Sequence, residues 1–231
     1  MTIENSVIIV AGGRGTRFGG PLPKQFLELA GRPVLMRTIE AFAAAGIGGL
    51  EIVVVLPSDQ HGLWRDLCRK HGFDVPHVVA SGGASRFESV RNGLRVAQVP
   101  DGGVIAVHDG VRPLVPQSVI GRVMQAARLS GAAIPVVPVT DSVRCLDGAG
   151  GASHSVPRSQ LRAVQTPQAF SAALLRKAYR VEPSDAFTDD ASVVEAAGHT
   201  VTLVDGDPVN IKITHPADIA VAEILMSNAR S

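Results

Sequence analysis

The stretch Val7–Phe26, VIIVAGGRGTRFGGPLPKQF, decides the fold class. It begins with four apolar residues, which predict a buried strand, and continues into a loop with five glycines. Arg14, Arg17 and Lys24 follow, so small residues and positive charge come together directly after a strand. Ligands of open parallel α/β sheets bind beyond the carboxyl ends of the strands. Because exposed backbone N–H groups and cationic side chains suit phosphates, the stretch indicates a site for a phosphate-rich ligand.

Short apolar runs alternate with amphipathic helical patterns along most of the chain. Strands are predicted at residues 7–10, 51–56, 77–80, 104–107, 132–139 and 199–204, and helices at residues 34–45, 63–71, 87–96, 119–129, 171–181, 190–197 and 216–227. Continuously apolar strands that alternate with helices are typical of a mostly parallel sheet with helices on both faces. We expect one α/β domain over residues 1–231. The prolines within residues 132–139 favour an edge strand or an irregular path.

Residues 140–163 interrupt this alternation. The sequence CLDGAGGASHSVPRSQL has a turn-rich centre between two short segments. This pattern predicts an extended hairpin, which would protrude as a β-arm. A disordered surface loop is the alternative.

The composition limits the possible partners and compartments. A net charge of +1 gives no general attraction to nucleic acid or to a membrane, so any anion site must be local. Cys68 and Cys145 form no C-x-x-C pair, so neither a disulfide framework nor a zinc site is indicated. Such sparse cysteine use is typical of the reducing cytosol. The N-terminus lacks the pattern of a signal peptide, and no apolar run approaches the roughly 20 residues of a membrane span. We expect a cytoplasmic protein with neither nucleic acid nor membrane as a partner.

Three glycine-containing polar loops follow predicted strands, namely GGRGTR, SGGASR and HDGVRP. Neither of two familiar phosphate loops explains them. No Gly-Lys-Ser/Thr occurs, which excludes a Walker loop. Phe18 stands where a dinucleotide fingerprint needs its third glycine, and no acid follows the second strand to hold a ribose. A nucleotide site of another kind is therefore expected at this edge of the sheet.

The pattern A-G-G-x-G-T-R-x5-P-K is similar to the signature of sugar-nucleotidyltransferase folds. Six further motifs occur in order: Pro23-Lys24-Gln25, Ser-Gly-Gly with Arg86 and Ser89, Val107-His108-Asp109 through Arg112-Pro113, Gln165-Thr166-Pro167-Gln168, Thr188-Asp189-Asp190-Ala191-Ser192, and Asn210-Ile211-Lys212. Together they resemble the 2-C-methyl-D-erythritol 4-phosphate cytidylyltransferase family, CTP-using enzymes of the non-mevalonate isoprenoid pathway. The resemblance covers nearly the whole chain.

The resemblance implies a single-domain Rossmann-like nucleotidyltransferase fold and assigns roles to individual residues. The implied catalytic residues are Arg17, Lys24 and Lys212. The implied nucleotide-binding residues are Ala11, Gly12, Gly13, Gly15, Gly83, Ala84 and Ser89. Asp109 is the implied ligand of Mg²⁺, and the implied acceptor-binding residues are Arg112, Ser142, Arg158, Thr166 and Thr188.

The position of Lys212 supports its implied role. It lies in NIKITHP between two apolar residues, on a predicted strand. An inward-facing lysine there is costly without an anionic partner, so a functional charge is favoured.

The family's arm also implies a homodimer, in which Ser142 and Arg158 complete the partner's acceptor site. The implied reaction transfers CMP from CTP to the methylerythritol phosphate and releases pyrophosphate. Ala84 replaces the aspartate that is common in the family, so recognition of the base there would depend on backbone groups. The residues also permit two other functions: a ribitol 5-phosphate cytidylyltransferase, and a catalytically inactive nucleotide-binding module.

Overall fold

The structure is a computed structural model that describes residues 2–13, 22–148 and 151–228. Its twelve described strands are β1 (Asn5–Val10), β2 (Glu28–Leu29), β3 (Arg32–Pro33), β4 (Leu50–Leu56), β5 (Val78–Ser81), β6 (Val104–Asp109), β7 (Ala132–Pro138), β8 (Val143–Leu146), β9 (Ser153–Val156), β10 (Arg162–Val164), β11 (Gln168–Ser171) and β12 (Thr202–Asp205). The α-helices in the same ranges are α1 (Val34–Ala43), α2 (His61–Lys70), α3 (Arg86–Val96), α4 (Gln117–Ser130), α5 (Ala172–Ala178), α6 (Asp190–Ala196) and α7 (Ala217–Asn228).

One eight-stranded sheet organises the molecule, in the order β10-β7-β11-β6-β1-β4-β5, with β12 beside β7. Strands β6, β1, β4 and β5 run parallel, and β12 runs parallel to β7. Strands β10 and β11 are antiparallel to their neighbours. The predicted α/β class with a mostly parallel sheet is confirmed.

The core has two layers because successive side chains of a strand point to opposite faces of the sheet. In β1, Val7 and Ile9 pack on one face with the apolar residues of α1, α2 and α4. Ile8 packs on the other face with those of α3, α5 and α6. Each fully buried aliphatic side chain stabilises the fold by roughly 1.5–3 kcal/mol. Both faces of the sheet are therefore covered, as the continuously apolar strands predicted.

Strand β7 is not at the edge of the sheet, although its prolines favoured an edge or an irregular path. Two short strands share one of its sides: β11 pairs with residues 132–133, and β10 pairs with residues 136–138. Pro135 lies between the residues that pair with these two strands, and its carbonyl accepts from the Gln165 N–H at 2.9 Å, so no strand partner requires its missing N–H on this side. An interior strand can thus hold a proline.

The arm is present as a hairpin. Strands β8 and β9 pair antiparallel and form a sheet of their own, outside the eight-stranded sheet. The chain then returns to the main sheet through β10. Leu146 is 71% exposed at the end of β8. Within the described ranges, no helix has the length and apolar character to cross a membrane.

Candidate active site

Two adjacent cavities lie at the carboxyl ends of the central strands. The first, of about 270 Å³, is lined mainly by the residues that follow β1 and β5, and we call it the nucleotide cavity. The second, of about 300 Å³, is lined by residues from β6 and from the chain around β10, β11 and α6, and we call it the acceptor cavity. Arg86, Asp109 and Lys212 line both. These three charged side chains therefore stand where the two cavities meet.

The nucleotide cavity gathers most of the residues predicted to bind nucleotide. Its lining includes Ala11, Gly12, Gly13, Lys24, Gly83, Ala84 and Ser89. Gly15 and Arg17, predicted from the same glycine-rich loop, lie outside the described residues. Gln25 was not predicted, and its buried amide donates to the Ala11 carbonyl at 2.9 Å. This hydrogen bond fixes the chain after β1 against the segment that carries Lys24.

The loop before α3 is held by its own hydrogen bonds. Ser85 caps the helix in a capping box with Glu88. The Ala84 N–H donates to Glu88 Oε2 at 2.7 Å, and the Gly83 N–H donates to Ser89 Oγ at 3.1 Å. A Cβ atom on Gly83 would lie 2.3 Å from Glu88 Cβ, so the tight turn requires glycine there. The loop is thus set in shape before any ligand arrives.

Asp109, the last residue of β6, is the centre of the charge cluster. Its carboxylate lies 3.0 Å from Lys212 Nζ, 3.3 Å from Arg112 Nε and 4.0 Å from Arg86 Nε. Burial alone would raise its pKa, but the three cations outweigh burial and lower the pKa from 3.8 to about 2. Asp109 is therefore ionised at neutral pH, although it is only 9% exposed.

Lys212 reaches this cluster from a segment that is not a strand, so the strand predicted for NIKITHP is wrong. Residues 210–214 have no regular structure. Ile213 is fully buried and its N–H donates to the Val111 carbonyl at 2.9 Å, which anchors the segment beside β6. The Arg112 guanidinium also donates to the Asn210 carbonyl at 2.7 Å. These contacts bring Lys212 to Asp109 without a strand.

A buried hydrogen-bond chain supports Asp109 from behind. The Asp109 N–H donates to Thr166 Oγ1 at 3.0 Å, and this hydroxyl lies 3.0 Å from His108 Nδ1. His108 Nε2 lies 3.1 Å from the Arg112 carbonyl, which can only accept, so Nε2 carries the proton and Nδ1 accepts from Thr166. Burial lowers the His108 pKa from 6.5 to about 4, so the ring is neutral.

Arg86 and the buried Asp190 form an ion pair that was not predicted as part of the site. Two guanidinium nitrogens of Arg86 lie 3.0 and 2.6 Å from the fully buried Asp190 carboxylate. Tyr179 donates to the same carboxylate at 2.6 Å. Burial lowers the Arg86 pKa, but Asp190 and Asp109 outweigh burial and raise it. Arg86 therefore bridges the loop before α3 to the start of α6.

Gln168 completes this side of the acceptor cavity. Its side-chain carbonyl accepts from the N–H groups of Asp190 and Ala191 at 3.0 and 2.9 Å, and its amide donates to Asp189 at 2.9 Å. The signal for this network was in the sequence, because the QTPQ and TDDAS motifs were both recognised. The contact between the two motifs could not be predicted from the sequence, because it depends on the order of the strands in the sheet.

Three of the five predicted acceptor residues line the acceptor cavity: Arg112, Thr166 and Thr188. The other two, Ser142 and Arg158, lie at the ends of the arm and are exposed. The Arg158 guanidinium donates to the Thr140 carbonyl, at 2.5 Å. Within the described part of the chain, neither residue lines the nucleotide cavity or the acceptor cavity. One chain thus assembles a cation-rich site without its arm.

Asp109 has the chemistry of a magnesium ligand. No group of three or more His, Cys, Asp or Glu side chains is arranged for a metal among the described residues. Magnesium keeps several waters and is commonly bound through one or two carboxylates and the phosphates of a substrate. One ionised carboxylate beside a cavity lined by Lys24, Arg86 and Lys212 fits that donor set.

Comparisons with known proteins agree with this geometry. The chain matches the family model described as 2-C-methyl-D-erythritol 4-phosphate cytidylyltransferase over residues 5–228. A relative of that name from Phocaeicola vulgatus is 52% identical over 224 residues, which cover 97% of this chain and 100% of the relative. Another, from Porphyromonas gingivalis, is 49% identical over 229 residues, covering 99% of this chain and 100% of the relative.

Crystal structures show the same similarity. The structure of 2-C-methyl-D-erythritol 4-phosphate cytidylyltransferase from Thermus thermophilus is 37% identical, with a TM-score of 0.73, covering 97% of this chain and 98% of that one. The structure of 4-diphosphocytidyl-2C-methyl-D-erythritol synthase from Anaerococcus prevotii is 28% identical, with a TM-score of 0.80, covering 97% and 96%.

Proposed function

Since the chain belongs to the 2-C-methyl-D-erythritol 4-phosphate cytidylyltransferase family, we propose that it transfers CMP from CTP to 2-C-methyl-D-erythritol 4-phosphate. The products are 4-diphosphocytidyl-2-C-methyl-D-erythritol and pyrophosphate, and the step belongs to non-mevalonate isoprenoid biosynthesis. The observation that carries the proposal is the meeting of two cavities at Arg86, Asp109 and Lys212. A reaction between two phosphates needs such a junction.

The chemistry requires charge stabilisation more than proton transfer. An oxygen of the acceptor's 4-phosphate attacks the α-phosphorus of CTP. The bond between the α-phosphorus and the oxygen that bridges it to the β-phosphate breaks, and pyrophosphate leaves with the electron pair. The attacking phosphate is already an anion at neutral pH, so no general base is needed. His108 is buried and neutral and lines neither cavity among the described residues, which fits a reaction without one.

Lys24 and Lys212 are the proposed catalytic residues of the described chain, and Arg17 stays a prediction. Lys24 lines the nucleotide cavity, and Lys212 lines both cavities. From these positions each would hold phosphate oxygens and stabilise the charge that grows on the α-phosphate. Ala11, Gly12, Gly13, Gly83, Ala84 and Ser89 would bind the nucleotide.

Asp109 would hold Mg²⁺ together with oxygens of the triphosphate. The bound cation would neutralise negative charge on the phosphates. In the present structure Lys212, Arg112 and Arg86 balance the Asp109 carboxylate. Lys212 also faces both cavities, so it can turn toward phosphate oxygens when Asp109 has another positive partner, whereas Asp190 keeps Arg86 in place.

The acceptor would bind in the acceptor cavity. The Arg112 guanidinium and the Thr188 hydroxyl suit a polyol phosphate, which offers one anion and several hydroxyls. The Thr166 hydroxyl donates to His108 and accepts from the Asp109 N–H, so toward the acceptor it would serve only through its second lone pair. We propose that Ser142 and Arg158 complete this cavity in a second copy of the chain, so the enzyme would act as a homodimer. The exposed hairpin and its 71% exposed Leu146 support that proposal. The free thiols of Cys68 and Cys145 support a cytoplasmic location.

The first test is pyrophosphate release with CTP and Mg²⁺, comparing methylerythritol 4-phosphate with ribitol 5-phosphate. We expect release with the first acceptor and little with the second, since the relatives reported above are named for the first. Preference for ribitol 5-phosphate would overturn the proposed acceptor. Silence with both acceptors, at concentrations where CTP binds, would indicate an inactive nucleotide-binding module.

A further inference from the structure

A cavity of about 360 Å³ is built around helices α3 and α5 and shares no lining residue with the two active-site cavities. Its lining residues are Arg91, Leu94, Arg95, Arg176, Tyr179 and Arg180. We call it the arginine cavity. The whole chain has a net charge of only +1, so four guanidiniums around one cavity are a local concentration of positive charge. Like charges repel one another, and an anion bound among them would offset that repulsion.

Two carboxylates only partly balance these arginines. Asp101 lies 2.6 Å from Arg176, which also donates to the carbonyls of Ala97 and Val99 and thereby ties α5 to the chain after α3. Glu88 lies 3.9 Å from Arg91, which is a loose contact. Arg176 is thus committed to the fold, whereas the other three guanidiniums keep donors for another partner.

The remaining arginines have few partners of their own. The Arg91 guanidinium lies 5.5 Å from the centre of the Phe87 ring, and its Nε is buried without a hydrogen-bond acceptor. Arg95 donates to Asn92 at 3.1 Å. No carboxylate within the described ranges forms an ion pair with Arg95 or Arg180. The guanidinium N–H groups of Arg95 and Arg180 therefore remain available to the oxygens of a bound anion.

We propose that the arginine cavity binds a small phosphorylated anion, a phosphate monoester or a diphosphate. Guanidiniums match phosphate oxygens through paired N–H donors, which gives this cluster a preference for phosphates over simple anions. The volume lies within the range of small-molecule sites. Leu94 and the Tyr179 ring supply an apolar wall for the organic part of a monoester.

A ligand in this cavity would also touch Tyr179, which contacts the carboxylate that holds Arg86 in the active site. The Tyr179 ring stacks on Phe87 with ring centres 4.7 Å apart, and its hydroxyl donates to Asp190. Asp190 in turn fixes Arg86, which lines both active-site cavities. We infer that occupancy of the arginine cavity changes the affinity for CTP through Tyr179. This second part rests on the proposed function.

Binding can be tested by titrating pyrophosphate and recording NMR spectra of protein that carries ring-¹³C-labelled tyrosine. Tyr179 is the only tyrosine of the chain, so every labelled signal comes from this one residue in the wall of the arginine cavity. We expect a saturable shift at physiological ionic strength in the wild type and in Lys24→Ala, which alters the active site. The shift should need at least about tenfold more pyrophosphate in Arg95→Gln/Arg180→Gln. The control Arg65→Gln/Arg69→Gln removes the same charge from α2 and should behave as the wild type.

Three results would overturn the binding proposal. One is the absence of a saturable shift in the wild type, and another is an unchanged titration in Arg95→Gln/Arg180→Gln. The third is loss of the shift in Lys24→Ala, since the signal would then come from the active site. None of these readouts requires turnover, so the cavity is judged independently of the proposed function.

Coupling is tested by calorimetric titration of CTP without acceptor, with and without pyrophosphate. Competition inside the active site affects the wild type and Arg95→Gln/Arg180→Gln equally, so a difference between them reports the arginine cavity. We expect pyrophosphate to change the CTP dissociation constant by factors that differ about fivefold between the two proteins. Equal factors would overturn the coupling. Absence of CTP binding would overturn both the coupling and the proposed function, while the tyrosine signal still decides the cavity.

Discussion

The end of β6 and the β8–β9 arm place their charged residues in different ways. Asp109 is 9% exposed, and it is contacted by Arg86, Arg112 and Lys212, two of which come from distant parts of the chain. Arg158 is exposed, and its guanidinium donates to the Thr140 carbonyl across the base of the arm. At the end of β6, the charged side chains are therefore held in place by contacts within one chain. The arm leaves Arg158 exposed within one chain.

Loss of Lys212 should give the largest effect. Lys212→Ala removes the cation nearest to Asp109 and one of the charges at the junction of the two cavities. Removing one group that stabilises transition-state charge costs about 10²–10³-fold in kcat. We therefore expect a loss of that size in steady-state pyrophosphate release, with a smaller change in KM for CTP.

The matched control is Lys70→Ala. Lys70 is exposed, and its contact with Glu28 is a loose surface ion pair of 3.8 Å. It should keep wild-type activity. The proposed role of Lys212 would be contradicted if Lys212→Ala kept kcat within about threefold of the wild type. The cluster at the end of β6 would then be structural, and the difference between it and the arm would lose its functional meaning.

Arg158→Ala should give the next largest effect. Removing one charged hydrogen bond to the acceptor phosphate costs about 1.5–3 kcal/mol, or roughly 10–150-fold, and should appear mainly in KM for methylerythritol 4-phosphate. The same measurement on Arg162→Ala is the control, because that exposed arginine donates only to nearby carbonyls of its own segment.

Mixing Arg158→Ala with Lys212→Ala sharpens this test of the arm, at an acceptor concentration far below the KM of Arg158→Ala, where each variant alone has little activity. If Arg158 acts in the partner's site, a heterodimer of Arg158→Ala with Lys212→Ala carries both defects in one site and none in the other. Random exchange of equal amounts should restore about a quarter of wild-type activity, since half of the dimers are mixed and each has one intact site. No recovery, under conditions where labelled subunits exchange, would place Arg158 in its own chain's site.

The sequence predicted which residues lie at the carboxyl ends of the strands, but it did not predict which of those residues contact each other. Asp109 could be placed because an apolar strand runs directly into it. The Arg86–Asp190 pair could not, since it joins residues 104 positions apart and depends on how α3 and α6 pack on one face of the sheet. Local patterns predict which residues follow a strand, but not which of them meet.

The errors have the same origin. Proline chemistry permitted an edge position for β7, but the sheet order gives it two short partners on one side, and Pro135 falls between them. Lys212 was placed on a strand because apolar neighbours alternate with it. The segment is instead anchored by tertiary hydrogen bonds to Val111 and Arg112. In both cases contacts between distant residues outweighed the local pattern.

The smallest predicted effect concerns the acid stability of the cluster at the end of β6. His108 has a pKa of about 4 in the folded protein and an ordinary value of 6.5 when unfolded, so the unfolded chain binds the proton first as the pH falls. This histidine should therefore lower the free energy of unfolding by about 1.4 kcal/mol between pH 7.5 and 5.5. Asp109 adds nothing in this window, since its folded pKa of about 2 and its ordinary value of 3.8 both lie below it.

Urea unfolding of the wild type and His108→Gln at several pH values measures this effect. We expect a flatter pH dependence in the variant, because the hydrogen bond to the Arg112 carbonyl can be kept by an amide that does not titrate. His154→Gln, which removes a histidine from the exposed arm, is the matched control. A wild-type slope in His108→Gln would show that acid sensitivity does not come from the buried ring. The cluster would then differ from the arm in its contacts alone, and burial at the end of β6 would have no measurable cost in acid.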